Sequence, residues 1–110
     1  MLTNMVLRKS FLDKPEFQNE LSKLRDDINQ IDEELINLLA NRMKISRKIG
    51  GYKKKNNITI LQKRRWDQII KRSKAQAAKV GLSQKFIMDF INAIHLESID
   101  QQQQVFKEKE

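Results

Sequence analysis

One hydrophobic series dominates this chain: Phe17, Leu21, Leu24, Ile28, Ile31, Leu35, Leu38, then Arg42, then Ile45, Ile49 and Tyr52, in alternating steps of four and three residues. That spacing puts every member on one seam of a single α-helix. A helix of about 40 residues spans about 60 Å at 1.5 Å per residue, whereas a compact globule of this length has a radius of gyration of only about 13 Å. The helix is expected to overhang its own domain. Its seam then needs a second copy, which predicts an entwined homodimer with the long helices side by side. Arg42 is the one charged member of the series. Taking a guanidinium out of water costs several kcal/mol unless an anion meets it, so its place predicts a carboxylate, a phosphate or a ligand in the seam.

The rest of the chain reads as two further helices. Pro15 suits the first turn of the long helix, with Asp13 as its cap. Gly50 and Gly51 can either end a helix or permit close packing within one; because Tyr52 keeps the rhythm, the helix is read through to about residue 55. Asn56, Asn57 and Ile58 form the first break. Thr59, with Gln62 three residues on, has capping-box spacing and is expected to open a second helix that Gly81 closes. Ser83 caps a third, whose stripe is Ile87, Phe90 with Ile91, Ile94, Ser98, Gln102 and Val105. No strand-like alternation is present, so the fold class is all-α with three helices. The expected spans are an N-terminal extension or linker at 1–16, a helical domain at 17–105 and a frayed tail at 106–110.

Composition narrows the function. The 22 Lys and Arg against 14 Asp and Glu give a net charge of +8, which calls for an anionic partner. The basic runs Lys53–Lys55 and Lys63–Arg65 read as solvated helix faces. With one Tyr and one Trp there is no interleaved aromatic and basic pattern for base stacking, so no nucleic-acid partner is expected. The chain has no cysteine and one histidine, His95, which excludes a disulfide framework and a thiolate metal site and makes a metal centre unexpected. His95 reads as a surface or core-edge residue. No apolar run reaches bilayer-spanning length and MLTNMVLRKSFL lacks the hydrophobic stretch of a signal peptide, so no membrane association and a cytoplasmic location are expected.

Polar residues recur on the buried faces. Arg65 lies four residues after Leu61 and four before Ile69, and Ser98 and Gln102 are successive members of the third stripe. Lys53 follows Arg42 by eleven residues, nearly three turns, so both face one way about 16 Å apart. Their long side chains leave room between them for a small dianion.

The segments LSKLRDDINQIDEELINLLANR, KIGGYK, ITILQKRRWDQII and ESIDQQQQ resemble the all-helical chorismate mutase family over about residues 18–105. The resemblance implies a homodimer of three helices per chain, the Claisen rearrangement of chorismate to prephenate on the way to phenylalanine and tyrosine, and no cofactor or metal. It assigns Arg42 and Arg65 to the substrate carboxylates, with Arg25 reaching in from the other subunit. Lys53 and Gln102 resemble the two donors to the ether oxygen, and Ser98 a residue that lines the site and helps hold a carboxylate. Two positions depart from the common pattern: Gln62 stands where an aspartate is frequent, and Trp66 where a glutamate binds the substrate hydroxyl. An indole donates but cannot accept a hydrogen bond, so hydroxyl recognition must differ here. That departure keeps isochorismate-pyruvate lyase as the alternative, beside a non-catalytic basic binding or regulatory module. The family also implies fusion to, or a complex with, a neighbouring aromatic-pathway enzyme.

Overall fold

The computed structural model of the chain describes residues 15–108, with side chains from residue 18. The expected Asp13 cap, the Phe17 side chain and most of the 1–16 extension lie outside the described residues. Three helices follow one another: α1, Pro15–Lys55; α2, Lys63–Val80; and α3, Gln84–Lys107. No strand occurs among the described residues. None of their helices is long and apolar enough to cross a membrane.

Helix α1 is 41 residues long and passes through Gly50 and Gly51 without a break. The two glycines differ. A Cβ on Gly50 would stand 3.0 Å from the Gln102 Cα, whereas one on Gly51 would meet nothing within 4 Å. Gly50 is thus the point at which α1 touches the backbone of α3. The helix ends where Asn57 turns left-handed (φ 57°) and the Ile58 N–H returns to the Lys53 carbonyl at 2.8 Å. Asn tolerates that conformation better than most non-Gly residues, and the returning N–H satisfies an end carbonyl.

Helix α2 starts later than the capping-box spacing suggests. Its N-cap is Gln62, in extended conformation and without a side-chain cap, and Thr59 lies in irregular chain. The physical reason is a tertiary contact: the Lys53 ammonium donates to the Ile60 carbonyl at 2.8 Å, holding this linker against the end of α1. Gly81 (φ 79°) closes α2 and Ser83 caps α3 by accepting from the Phe86 N–H, both as the sequence predicts. Helix α3 continues beyond residue 105, to Lys107. Cations hold its end: Lys54 donates to the carbonyls of Val105 and Glu108, and Arg47 pairs with the Glu108 carboxylate. Positive charge near the last carbonyls complements the helix dipole. The remaining tail, 109–110, lies outside the described residues.

By its contacts the chain divides into two units, one up to Leu39 and one from Ala40 onward. In the first, the seam residues Leu24, Ile28, Ile31, Leu35 and Leu38 are all exposed. In the second, the C-terminal part of α1 packs with α2 and α3. Ala77 is the one fully buried apolar side chain among the described residues, and the other buried side chains, Ser46, Ser98 and Gln102, are polar. Three of the four buried side chains described in this unit are thus polar.

Candidate active site

A cleft of about 400 Å³ opens in the second unit. Helix α1 supplies Arg42, Ser46 and Lys53 to its wall, α2 and the linker before it supply Ile60, Gln62 and Arg65, and α3 supplies His95, Ser98 and Gln102. These residues share a wall because the periodicity of each helix turns them the same way: Arg42, Ser46 and Lys53 fall at steps of four and seven, and so do His95, Ser98 and Gln102 at three and four. Ile45, Ile49, Ile69 and Ile99 complete the lining. The volume lies within the usual range for small-molecule sites.

The polar groups form a chain across the α1–α3 contact. The hydroxyls of Ser46 and Ser98 are 2.6 Å apart, and the Gln102 amide nitrogen approaches the Ser98 hydroxyl at 3.4 Å. Lys53 donates to the Gln102 amide oxygen at 3.0 Å. That bond fixes which way the amide faces: with its oxygen toward Lys53, the NH2 group is left as the donor. Lys53 has three N–H bonds, of which Gln102 and Ile60 take two. The third is available to a ligand.

The electrostatics are one-sided. Arg42, Lys53 and Arg65 line the cleft and no carboxylate does. One guanidinium nitrogen of Arg42, Nη1, is buried without a hydrogen-bond partner. Burial and the neighbouring Arg65 charge lower the Arg42 pKa, and burial lowers that of Lys53. Both shifts have the same cause, cations held partly out of water without a counter-ion, so an anion entering the cleft relieves them.

Of the residues singled out in the sequence, Arg42, Lys53, Gln62, Arg65, Ser98 and Gln102 line this cleft together. Trp66 does not line it; its indole is stacked on the His95 ring, centroids 4.1 Å apart and planes at 21°. Arg25 is exposed, in the unit that ends at Leu39. No cluster of three or more His, Cys, Asp and Glu exists among the described residues.

Residues 24–103 match the family model for chorismate mutase type II. The chain belongs to that family. Among its relatives, the T-protein of Haemophilus influenzae is 29% identical over 82 residues, which cover 74% of this chain and 22% of that protein. The 4-amino-4-deoxychorismate mutase of Streptomyces venezuelae is 28% identical over 77 residues, covering 70% of this chain and 75% of that one. The chain therefore spans under a quarter of the first relative's length and three quarters of the second's.

Two further residues line the cleft: Ser46, not singled out from the sequence, and His95, expected from it at the surface or core edge. Ser46 follows Arg42 by one turn, and its hydroxyl partners Ser98. His95 precedes Ser98 by three residues and Gln102 by seven, a spacing that assigns it to their face. The signal for both was the helical register of residues already chosen.

Proposed function

We propose that the cleft converts chorismate to prephenate. The observation that carries this reading is the Lys53–Gln102 pair, 3.0 Å apart, in a cleft whose ionic residues are all cationic. Chorismate carries two carboxylates and must fold so that the enolpyruvyl methylene approaches the ring. Arg42 and Arg65, with a second-copy Arg25, grip the carboxylates and hold that conformer. In the rearrangement the ether C–O bond breaks as the new C–C bond forms, with electrons moving around one ring of atoms and no proton transferred. Negative charge grows on the ether oxygen, and the free Lys53 N–H and the Gln102 NH2 are the donors for it. Because they bind that charge more strongly than the neutral ether, they lower the barrier rather than merely tightening substrate binding.

The name of the Streptomyces relative raises an amino-substituted substrate as a second reading. No carboxylate lines this cleft, so an ammonium group would sit among three cations without a partner. That favours the hydroxyl-bearing substrate. Isochorismate lyase activity is tested by the same assay: purified protein given chorismate should remove its ultraviolet absorbance and yield prephenate. Salicylate and pyruvate from isochorismate, with chorismate untouched, would reverse the assignment.

A homodimer completes the proposal. The exposed seam of α1 supports it, as does a second groove of about 500 Å³, in which Arg42, Arg65 and Arg72 stand beside the apolar Ile69, Val80, Leu82, Ile87 and Ile91. Fully covering a Leu or Ile side chain contributes roughly 1.5–3 kcal/mol, so even partial cover of the five exposed seam residues up to Leu38 favours association strongly. The match to one part of the longer T-protein supports a further reading, that this domain works joined to or beside another aromatic-pathway enzyme.

A further inference from the structure

The cleft is rich in hydrogen-bond donors and short of acceptors. Arg42, Lys53 and Arg65 can only donate. The Gln102 oxygen already accepts from Lys53, the hydroxyls of Ser46 and Ser98 share one hydrogen bond, and no carboxylate lines the wall. A substrate hydroxyl can accept from these donors, but its own proton is satisfied only by an acceptor on the wall.

His95 is placed to be it. Its ring lines the cleft, on the α3 face that carries Ser98 and Gln102. Neither ring nitrogen has a hydrogen-bond partner among the described residues, whose interactions at this residue are its stacking on Trp66 and the electrostatic influence of its neighbours. Stacking on Trp66 occupies one face of the imidazole and fixes its plane, leaving the edge, where the nitrogens are, open. The ionic groups around it are Arg42 and Lys53 from α1 and Arg65 from α2, all positive. Burial and the Arg42 and Lys53 charges push the His95 pKa down from its ordinary value, so the ring is neutral at neutral pH and one nitrogen carries a bare lone pair. Gln62 offers the other side-chain acceptor on the wall, but it is exposed and nothing stacks on it.

We propose that His95 is a specificity-determining residue, accepting a hydrogen bond from the ring hydroxyl of the substrate while Trp66 holds the imidazole in place. This rests on the mutase reading for the identity of the substrate. It also gives Trp66 a part in the site without contact to the substrate, as a positioning residue for His95.

The test uses two stable probes, a bicyclic ether dicarboxylate that mimics the folded conformer, with and without the ring hydroxyl, titrated calorimetrically into the full chain. The wild type should bind the hydroxylated probe about tenfold more tightly, the usual effect of one hydrogen bond made in a partly closed site. His95→Phe keeps a ring for Trp66 to stack on and removes the acceptor, and should bring the two affinities within about threefold. His95→Gln, which restores an acceptor, should recover part of the preference, and Gln62→Leu should leave it intact. In the wild type the preference should also shrink at acid pH, below the ordinary histidine range, as the imidazole takes up a proton. Equal wild-type affinities, a preference that ignores pH, its survival in folded His95→Phe or its loss in Gln62→Leu would each overturn the assignment. Chorismate turnover is read separately: probe binding without turnover sinks the mutase reading, and the affinity ratio still decides the role of His95.

Discussion

Gly50 and Gln102 meet where α1 crosses α3, so closely that a Cβ on Gly50 would stand 3.0 Å from the Gln102 Cα and 3.2 Å from its Cβ and Cγ. The residue proposed to donate to the ether oxygen is therefore seated by the absence of a side chain on the facing helix. Gly50→Ala must push α3 outward by a few tenths of an ångström. Since misplacement by about 1 Å can cost a hundredfold in rate, a loss of about tenfold in kcat is expected. Gly51→Ala is the control: a Cβ there meets nothing within 4 Å. It should keep full activity and gain about 0.5–1 kcal/mol from improved helix propensity, seen as a higher Tm. Equal effects at the two positions would remove the close approach as the explanation.

Loss of either ether-oxygen donor should be expensive. Lys53→Ala and Gln102→Ala should each lower kcat by about 10²–10³ with the helical circular dichroism intact. Lys53 also sets a pH limb. Its folded pKa is lowered by burial in the ligand-free protein, so it loses its proton at lower pH than a free lysine, and kcat/KM should fall on the alkaline side before pH 10.5. Gln102 does not titrate. Gln102→Glu should add a second loss of activity with rising pH, nearer the acid end: the protonated carboxyl donates, the carboxylate cannot, and Lys53 at 3.0 Å from the Gln102 oxygen favours the ionised form. Its activity should decline as pH rises through that ionisation, and a pH–rate profile matching the wild type would displace position 102 from the reaction.

Arg42 should trade stability for binding. Its Nη1 is buried without a partner and Arg65 repels it, so the ligand-free protein bears an uncompensated charge. Arg42→Met fills much of the same space without that cost. The variant should unfold at higher temperature than the wild type, by about 0.5–2 kcal/mol in stability, while losing nearly all kcat/KM. A dianionic ligand should raise the Tm of the wild type and leave that of the variant unmoved. A destabilised Arg42→Met protein would show that the guanidinium is structural.

Much of this site was legible because it breaks a pattern. Arg42, Arg65, Ser98 and Gln102 are polar residues at positions where periodicity demands apolar ones, and three of them fall on helices whose caps, Gly81 and Ser83, are also plain in the sequence. Ser46 obeys the register of Arg42 but is an unremarkable residue type, and His95, expected at the surface or core edge, is assigned to the cleft only by its three- and seven-residue steps to Ser98 and Gln102. Gly50 was ambiguous because sequence alone does not say which neighbour a glycine admits. The capping box at Thr59 and Gln62 misled for a different reason. Local spacing proposed a helix start, but the bond from Lys53 to the Ile60 carbonyl holds the backbone of that stretch, and α2 begins only at Lys63. Tertiary contacts outweighed a cap contribution of about 1 kcal/mol.

The shared-site arrangement has a test that needs no structure of the dimer. Arg25 lies 17 residues before Arg42 in the sequence, about 25 Å at 1.5 Å per residue of straight helix, which is too far for both to grip one small molecule from the same copy. Two-fold exchange of Arg25 between copies removes the difficulty. Arg25→Ala and Lys53→Ala homodimers should each be nearly inactive, because every site lacks one group. In a mixed dimer the two defects fall in the same site: one site has lost both residues and the other retains both. Unfolding and reannealing an equal mixture makes about half the dimers mixed, and each has one of its two sites whole, so about a quarter of wild-type activity should return. Dilution below the dimer dissociation constant should abolish it again. If mass spectrometry shows that mixed dimers form and activity stays at the level of the two parents, Arg25 does not serve the partner's cleft.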